Sequence, residues 1–302
     1  MAPLAKAQRR FDSGRPLKHM SQLAAVEYTN SGRGLILDAA VRKHALVPVR
    51  RLDSGHSACL IADTPSRERV FVKVKGYEKN PMNRARWRRA ARSLRILEKS
   101  RAHFVPRLID AAAFERGDSY WLVTLSAYAG KPVSEGMFFA DDDSTIDSGF
   151  IDRLCRSIAS IRQIPSASVF YAPASVAGCV MQVFGAGAPA WASHWTSAHC
   201  DLHWGNVLDG GRYVVDWDMF SLAPAGFDAA SILLFSVGVP GLFARLRAAL
   251  GEMLGSRSAR VAIAFAAARM LLMMQTDRYA DIRVHERGIR DAVALLLGDA
   301  AD

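Results

Sequence analysis

Apolar and polar positions along the chain mix strand-like and helical periods as far as about residue 128 and are mainly helical beyond it, and that change organises everything else. Residues 35–46 place apolar side chains at helical spacing, and two β-rich runs follow at 47–52 and 58–62. Between them, Asp53-Ser54-Gly55-His56-Ser57 has the composition of a turn, as does Thr64-Pro65-Ser66. Residues 70–74 read as a third strand. Val70, Val72 and Val74 share one face, and Phe71, Lys73 and Lys75 share the other. Asn83 is the expected cap of a helix whose Trp87, Ala90, Ala91, Leu94 and Leu97 fall on one side, and Pro106 closes that region. Residues 114–125, broken at Gly117-Asp118, read as a hairpin. Beyond Ala129-Gly130-Lys131-Pro132 the period becomes helical, with helices expected at 151–164, 229–237, 241–254, 259–276 and 285–297. Residues 165–189, rich in Ala, Gly, Ser and Pro, carry neither period, as substrate loops often do.

Strands first and helices afterwards predict an α+β, bilobal arrangement. The expected divisions are a basic tail at 1–20, a small N-lobe with an antiparallel sheet at 21–128, and a larger, mainly helical C-lobe at 129–302. The composition, 50% hydrophobic and 23% charged over 302 residues, suits an ordinary globular protein. No run approaches the ~18–20 apolar residues of a membrane span, and the tail lacks the apolar segment of a secretory signal. The cytoplasm is the expected compartment. Cys59, Cys155, Cys179 and Cys200 show no CxxC spacing, which fits a reducing environment.

Net charge adds one qualification. Residues 1–101 carry 23 Lys and Arg against 8 Asp and Glu, whereas the remaining residues carry 16 against 21. A basic half can mark nucleic-acid binding. The arginine cluster at 84–101 has only Trp87 among its charges, without the interleaved aromatics of a base-stacking surface, so nucleic acid is not the expected partner.

The chemistry is concentrated in Ser197-Ala-His-Cys-Asp-Leu-His-Trp-Gly-Asn-Val-Leu208 and Tyr213-Val-Val-Asp-Trp-Asp218. Asp201, Asn206, Asp216 and Asp218 fall close together between apolar, strand-like flanks. Phosphoryl transfer requires an acceptor oxygen in line with the γ-phosphorus and cations to neutralise spreading charge. Magnesium takes oxygen ligands in near-octahedral geometry. An Asp and an Asn on one loop, with an Asp on the next hairpin, provide those parts. The His and Cys residues nearby (His194, His199, Cys200, His203) raise zinc as an alternative, but the Gly205 turn does not suit the spacing of a zinc site.

His199-x-Asp201-x-His203-x-x-Asn206 followed by Asp216-x-Asp218 resembles the catalytic and metal motifs of the aminoglycoside phosphotransferase family, itself similar to choline kinases and protein kinases. The resemblance implies a protein-kinase-like fold and an ATP- and Mg2+-dependent transfer of phosphate to a hydroxyl of a small molecule, an antibiotic or a metabolite. It implies that Asp201 is the catalytic residue, that Asn206 and Asp216 hold metal, and that Asp218 lies beside them. Asp228 matches the family's brace of the catalytic loop. In the N-lobe, Lys73 takes the place of the phosphate-contacting lysine, with Lys75 on the same face ~6.6 Å away as its rival. Ser54, Gly55 and Ser57 sit where the family covers the phosphates, and residues 122–128, including Ser126, resemble the adenine-binding hinge.

Two departures stand out. Ala90 occupies the position of the glutamate that pairs with the family's lysine, leaving Glu78 or Glu98 as alternatives. Cys200 replaces a glycine usual in the family, a change expected to be tolerated. The missing glutamate leaves a second reading open, a non-catalytic nucleotide-binding regulator. Trp204 and Trp217, next to motif residues, are either core or substrate-stacking. The acidic run Asp141-Asp-Asp143 is either a solvated loop or a wall that attracts cationic substrates.

Overall fold

Alternation along the third strand sorts the first half of the molecule into two faces. The structure is a computed structural model and describes residues 32–54, 57–139, 146–166, 168–185, 189 and 191–298. The basic tail, Gly55 and the acidic run at 141–143 lie outside the described residues. The chain divides into two compact units, Met1–Ala129 and Gly130–Asp302.

In the first unit, helix α1 (Gly32–Lys43) precedes strands β1 (Val47–Ser54), β2 (Ser57–Asp63) and β3 (Arg69–Glu78). Helix α2 (Pro81–Ser100) and the hairpin β4 (Leu108–Arg116) and β5 (Ser119–Ala127) follow. The five strands form an antiparallel sheet in the order β1-β2-β3-β5-β4. Val70, Val72 and Val74 are fully buried and join Leu60, Val123 and Leu125 under Ile36 and Leu37 of α1. The opposite face receives α2, whose Ala90 and Ala91 pack on Ala113 and Leu122. Trp87 secures that contact, stacking on Tyr120 and donating its indole N–H to the Trp121 carbonyl at 2.8 Å.

Helix α2 starts three residues earlier than Asn83 suggests. Asn80 is the cap and accepts from the Asn83 N–H at 2.8 Å, while Pro81 fills the first turn, where a missing N–H costs nothing. The Asn83 side chain instead donates to the Glu78 carbonyl, so the connection between β3 and α2 claims the residue whose type signals a cap.

The second unit is mainly helical. Helix α3 (Ser148–Ile161) is capped by Asp147, and α4 (Pro173–Phe184) forms inside the stretch without a clear period. Two short antiparallel pairs follow, β6 (Trp195–Ala198) with β9 (Ser221–Pro224) and, between them in sequence, β7 (Val207–Leu208) with β8 (Tyr213–Val214). Then come α5 (Phe227–Leu234), α6 (Pro240–Ala249), the single turn α7 (Gly251–Leu254), α8 (Arg257–Met274) and α9 (Glu286–Gly298). The expected helix at 241–254 is thus two helices, parted at Leu250. Helix α8 is the hub. It is buried along nearly its whole length, including Met270, Leu271 and Met274, and packs against α4, α5 and α9. No helix among the described residues is long and apolar enough to cross a membrane.

An ionic contact pins α1 to the sheet. Asp110 on β4 accepts from Lys43 Nζ at 2.6 Å and lies 2.9 Å from His44 Nε2. Burial pushes its acidity weaker, but the Lys43 bond and the charge beside it prevail and hold the carboxyl below its usual range. We expect Asp110→Ala to destabilise the protein by about 1–3 kcal/mol near neutral pH, the scale of hydrogen bonds to charged groups. A carboxyl depressed in the native state contributes fully above its unfolded value, ~3.9, and loses that contribution as pH falls through the lower native value. Urea unfolding of both proteins should therefore show a gap at pH 7 that narrows below pH ~4. A gap that persists undiminished in acid would show that the carboxylate charge is not its source.

Candidate active site

The segment after β6 is held by its backbone. Asp228, in the first turn of α5 and almost wholly buried, accepts the N–H of His199 at 2.7 Å and that of Cys200 at 3.1 Å. Burial raises the Asp228 pKa, opposed by His199 and these two N–H donors. Cys200 adopts φ +65°, the left-handed region in which a side chain is strained. Its thiol is fully buried against Ser221, and burial, with Asp228 nearby, pushes its pKa up to about 12, so it is an inert packing group. The Cys200 carbonyl is taken as well, by Arg269 Nη1 of α8 at 3.2 Å.

His199 links the loop to the next hairpin. Its Nδ1 accepts the Asp201 N–H at 3.3 Å, so Nε2 carries the proton and donates to the Val215 carbonyl at 2.8 Å. Val215 N–H in turn donates to the Asn206 carbonyl at 3.0 Å, extending the β7–β8 pairing by one residue. Both backbone groups of Val215 are thereby committed, and Asp216 follows directly, at φ +64°. Asp218 comes next, in a short helical turn, Trp217–Met219, that hangs from the Trp217 indole on the Val214 carbonyl.

Asn206 is oriented by its own amide. Its Nδ2 donates to the Asp201 carbonyl at 2.9 Å and to His203 Nε2 at 3.1 Å, using both hydrogens. Its Oδ1 accepts no hydrogen bond among the described residues. With Nε2 accepting, His203 must carry its proton on Nδ1, which is buried and has no hydrogen-bond partner among the described residues, and burial lowers the pKa of this ring. No group of three or more His, Cys, Asp or Glu side chains converges among the described residues. A cation here would depend on an amide oxygen and carboxylates, the hard oxygen donors suited to Mg2+ rather than zinc. That donor set fits a magnesium site: one amide oxygen left unbonded, with Asp216 one residue from the backbone pair that positions it.

Trp204 and Trp217 are both buried, the first donating to Ser236 Oγ at 3.0 Å, so both belong to the core. Two further residues had no sequence signal by motif. Arg269, a single cation within the apolar run of α8, lies over the rings of Tyr171 at 5.0 Å and Phe227 at 5.6 Å. Tyr171 falls in the stretch without a clear period. An arginine in Ala-Phe-Ala-Ala-Ala-Arg-Met-Leu-Leu was the one available hint, because an unpaired charge rarely enters a buried helix.

The nucleotide candidates of the first unit lie on one face of its sheet. Lys73 sits in β3 opposite Cys59 and Thr124, and Lys75 opposite Ser57 and Leu122. Leu122 belongs to the row on which α2 rests, so Lys75 is beside that helix and Lys73 one row farther. The Lys75 ammonium lies 5.7 Å from the Tyr77 ring centre. Ser54 pairs with Ser57 at the β1–β2 turn, with Gly55 outside the described residues. Ser126 is inside the sheet, opposite Phe71 and Leu108. Ala90 is buried against Ala113 and Leu122, and Glu78 and Glu98 are both exposed.

Residues 170–266 match the sequence model of the phosphotransferase enzyme family. No curated protein sequence matches the chain significantly. Among solved structures, macrolide 2'-phosphotransferase MphH from Brachybacterium faecium is similar, with TM-score 0.53 and 14% identity over 84% of this chain and 97% of that one. Amicoumacin kinase hAmiN gives 0.55 and 13% over 88% and 94%, and a type I macrolide 2'-phosphotransferase gives 0.50 and 17% over 88% and 98%. The chain has the bilobal, protein-kinase-like fold of these phosphotransferases, with an antiparallel N-terminal sheet and a helical C-terminal part.

The strained Cys200 backbone explains why glycine suits this position. Cys200→Gly relieves a left-handed residue and loses a buried thiol, two effects of similar size, so stability should change by no more than about 1 kcal/mol. Cys200→Val adds β-branching at the same φ and should cost at least about 2 kcal/mol. Thermal unfolding of the two variants checks the contrast. Equal effects would mean that the backbone strain is not felt.

Proposed function

We propose that the protein is an ATP- and Mg2+-dependent small-molecule kinase, transferring the terminal phosphoryl group to a hydroxyl of an antibiotic or metabolite. The observation that carries this reading is the fixed loop from His199 to Asn206, which leaves the Asp201 carboxylate and the Asn206 Oδ1 as its side-chain oxygens without a hydrogen bond among the described residues. Asp201 accepts the hydroxyl proton as the oxygen–phosphorus bond forms, the β–γ bridge breaks, and ADP leaves. Asn206 and Asp216, with Asp218 beside them, would hold Mg2+, which neutralises phosphate charge when bound. Support for a nucleotide and a divalent ion comes from the amicoumacin kinase, whose structure contains AMP-PNP and Ca2+.

The nucleotide lobe in this proposal is 21–128 and the catalytic lobe 129–302. Lys73 is the phosphate contact, because Lys75 shares its row with the seat of α2. Ser54, Gly55 and Ser57 would cover the phosphates, and Ser126 and the chain after it would border the adenine. One observation favours the second reading, a nucleotide-binding regulator: Ala90 is sealed against the sheet, so that helix position offers no acid to orient the lysine. ATP-dependent stabilisation without turnover on any hydroxylated acceptor would select it.

A screen of hydroxylated antibiotics and metabolites for ATP consumption, with mass spectrometry of the phosphorylated product, tests the reading directly. Asp201→Asn should lower turnover by at least ~10²-fold, the scale of general-base catalysis, with little change in ATP affinity. Normal turnover in that variant would remove Asp201 from its role.

Asp216→Ala should abolish both activity and the part of ATP-induced thermal stabilisation that depends on Mg2+. If Mg2+ stabilises the variant with ATP as well as it does the parent, Asp216 is not a ligand.

A further inference from the structure

The surroundings of Arg269 carry information about the acceptor. This guanidinium is half-buried, backed by Tyr171 and Phe227, and donates one N–H to the carbonyl of Cys200, the residue before Asp201. No carboxylate lies within salt-bridge distance of it among the described residues, and none of its nitrogens is both sealed from solvent and unbonded. A cation held on two rings, with donors to spare and no carboxylate in salt-bridge contact among the described residues, is suited to receive an anion.

Its neighbours fit that role. Tyr171 is partly buried and makes no hydrogen bond through its hydroxyl among the described residues. Burial drives its pKa well up, so the group stays protonated and can donate. Cys179 faces the same region from α4 and is also held protonated by burial. Helix α4, Pro173–Phe184, contains no charged residue, and α8, Arg257–Met274, contains three arginines and no acid. The acid of α5, Asp228, is spent on two backbone N–H groups. Among the described residues, an amine-bearing acceptor approaching Asp201 along α4 and α8 would find one like charge and no carboxylate on either helix.

We propose that Arg269, with the Tyr171 hydroxyl, forms an anion subsite beside Asp201, and that the acceptor is a hydroxyl compound carrying a carboxylate or phosphate group. The guanidinium pairs with that group, Tyr171 donates to it, and the hydroxyl is thereby presented to Asp201. This rests on the kinase reading above and narrows its substrate class, away from polycationic acceptors.

The test uses the full chain with Mg·ATP and acceptors in matched sets on one scaffold, for example glucose, glucosamine, gluconate and glucose 6-phosphate, with equivalent sets on other scaffolds. ADP release gives turnover, and thermal stabilisation of the Mg·ADP form gives binding. The expected result is at least a ~10-fold preference in kcat/KM, or in binding, for anionic over amine-bearing members, equivalent to ~1.4 kcal/mol. Gluconate-type and phosphate-type members distinguish the two anions. Arg269→Gln keeps a donor for the Cys200 carbonyl and should raise the KM for anionic members more than it lowers kcat. Arg269→Glu should reverse the sign preference, which a purely structural role would not do. A preference for neutral or amine-bearing members, an anionic preference that survives Arg269→Glu, or no engagement of any anionic member overturns the proposal. A protein that Mg·ATP fails to stabilise refutes the kinase reading instead, so the two failures are distinguishable.

Discussion

The buried carboxylate of Asp228 is the constraint on which the candidate site depends. It takes the N–H groups of two successive residues, His199 and Cys200, and so dictates the backbone path into Asp201. Burying a carboxylate is costly, and hydrogen bonds to the charge offset that cost only if the donors are fixed. The close approach is built in at Gly226, the residue that opens α5. A Cβ there would lie 2.9 Å from the Met253 carbonyl, and its φ of +95° suits glycine alone. From the other side Arg269 holds the Cys200 carbonyl. Three polar groups of one short segment are spent on structure, so that the next side chain, Asp201, is free to act.

The remaining geometry follows by short steps along the backbone. The His199 ring bridges the Asp201 N–H and the Val215 carbonyl, and Val215 is bonded in turn to Asn206. The loop and the hairpin therefore cannot shift independently, and the oxygen donors of Asn206 and Asp216 keep their relative placement through backbone bonds. Positioning of this kind is the larger part of catalysis in phosphoryl transfer, where the protein does little covalent chemistry. Arg269 belongs to this framework by one N–H, and in the proposed subsite its other donors would meet the acceptor, so a residue that orders the loop would also choose the substrate.

The first unit was legible in detail because its signals are local. Strict alternation of Val70, Val72 and Val74 against Phe71, Lys73 and Lys75 specifies which face is buried, and a one-residue slip would invert every side chain. The hairpin at Gly117 and the helix carrying Trp87, Ala90 and Leu94 are equally local. The loop from His199 to Asn206 stood out as a candidate for a different reason: phosphoryl transfer calls for particular residue types at close spacing.

Chain properties a few residues apart were thus determined by the sequence alone: the order of strands and helices, and the close spacing of Asp201, Asn206 and Asp216 in the candidate segment. One local choice was not legible: of two nearby asparagines, Asn80 caps α2, while Asn83 donates its side chain to the Glu78 carbonyl. Longer-range contacts decided the rest. Helix α4 is apolar along most of its length, with only Ser175 and Gln182 polar, so no period marks its inner side, and Val176, Ala177 and Val180 become a buried face only once α8 supplies the partner. Arg269 meets Tyr171 and Cys200 across long stretches of chain. Periodicity and spacing report what a residue does to its near neighbours. Only packing determines which distant ring or carbonyl a charge will meet, and there the sequence holds no period to read.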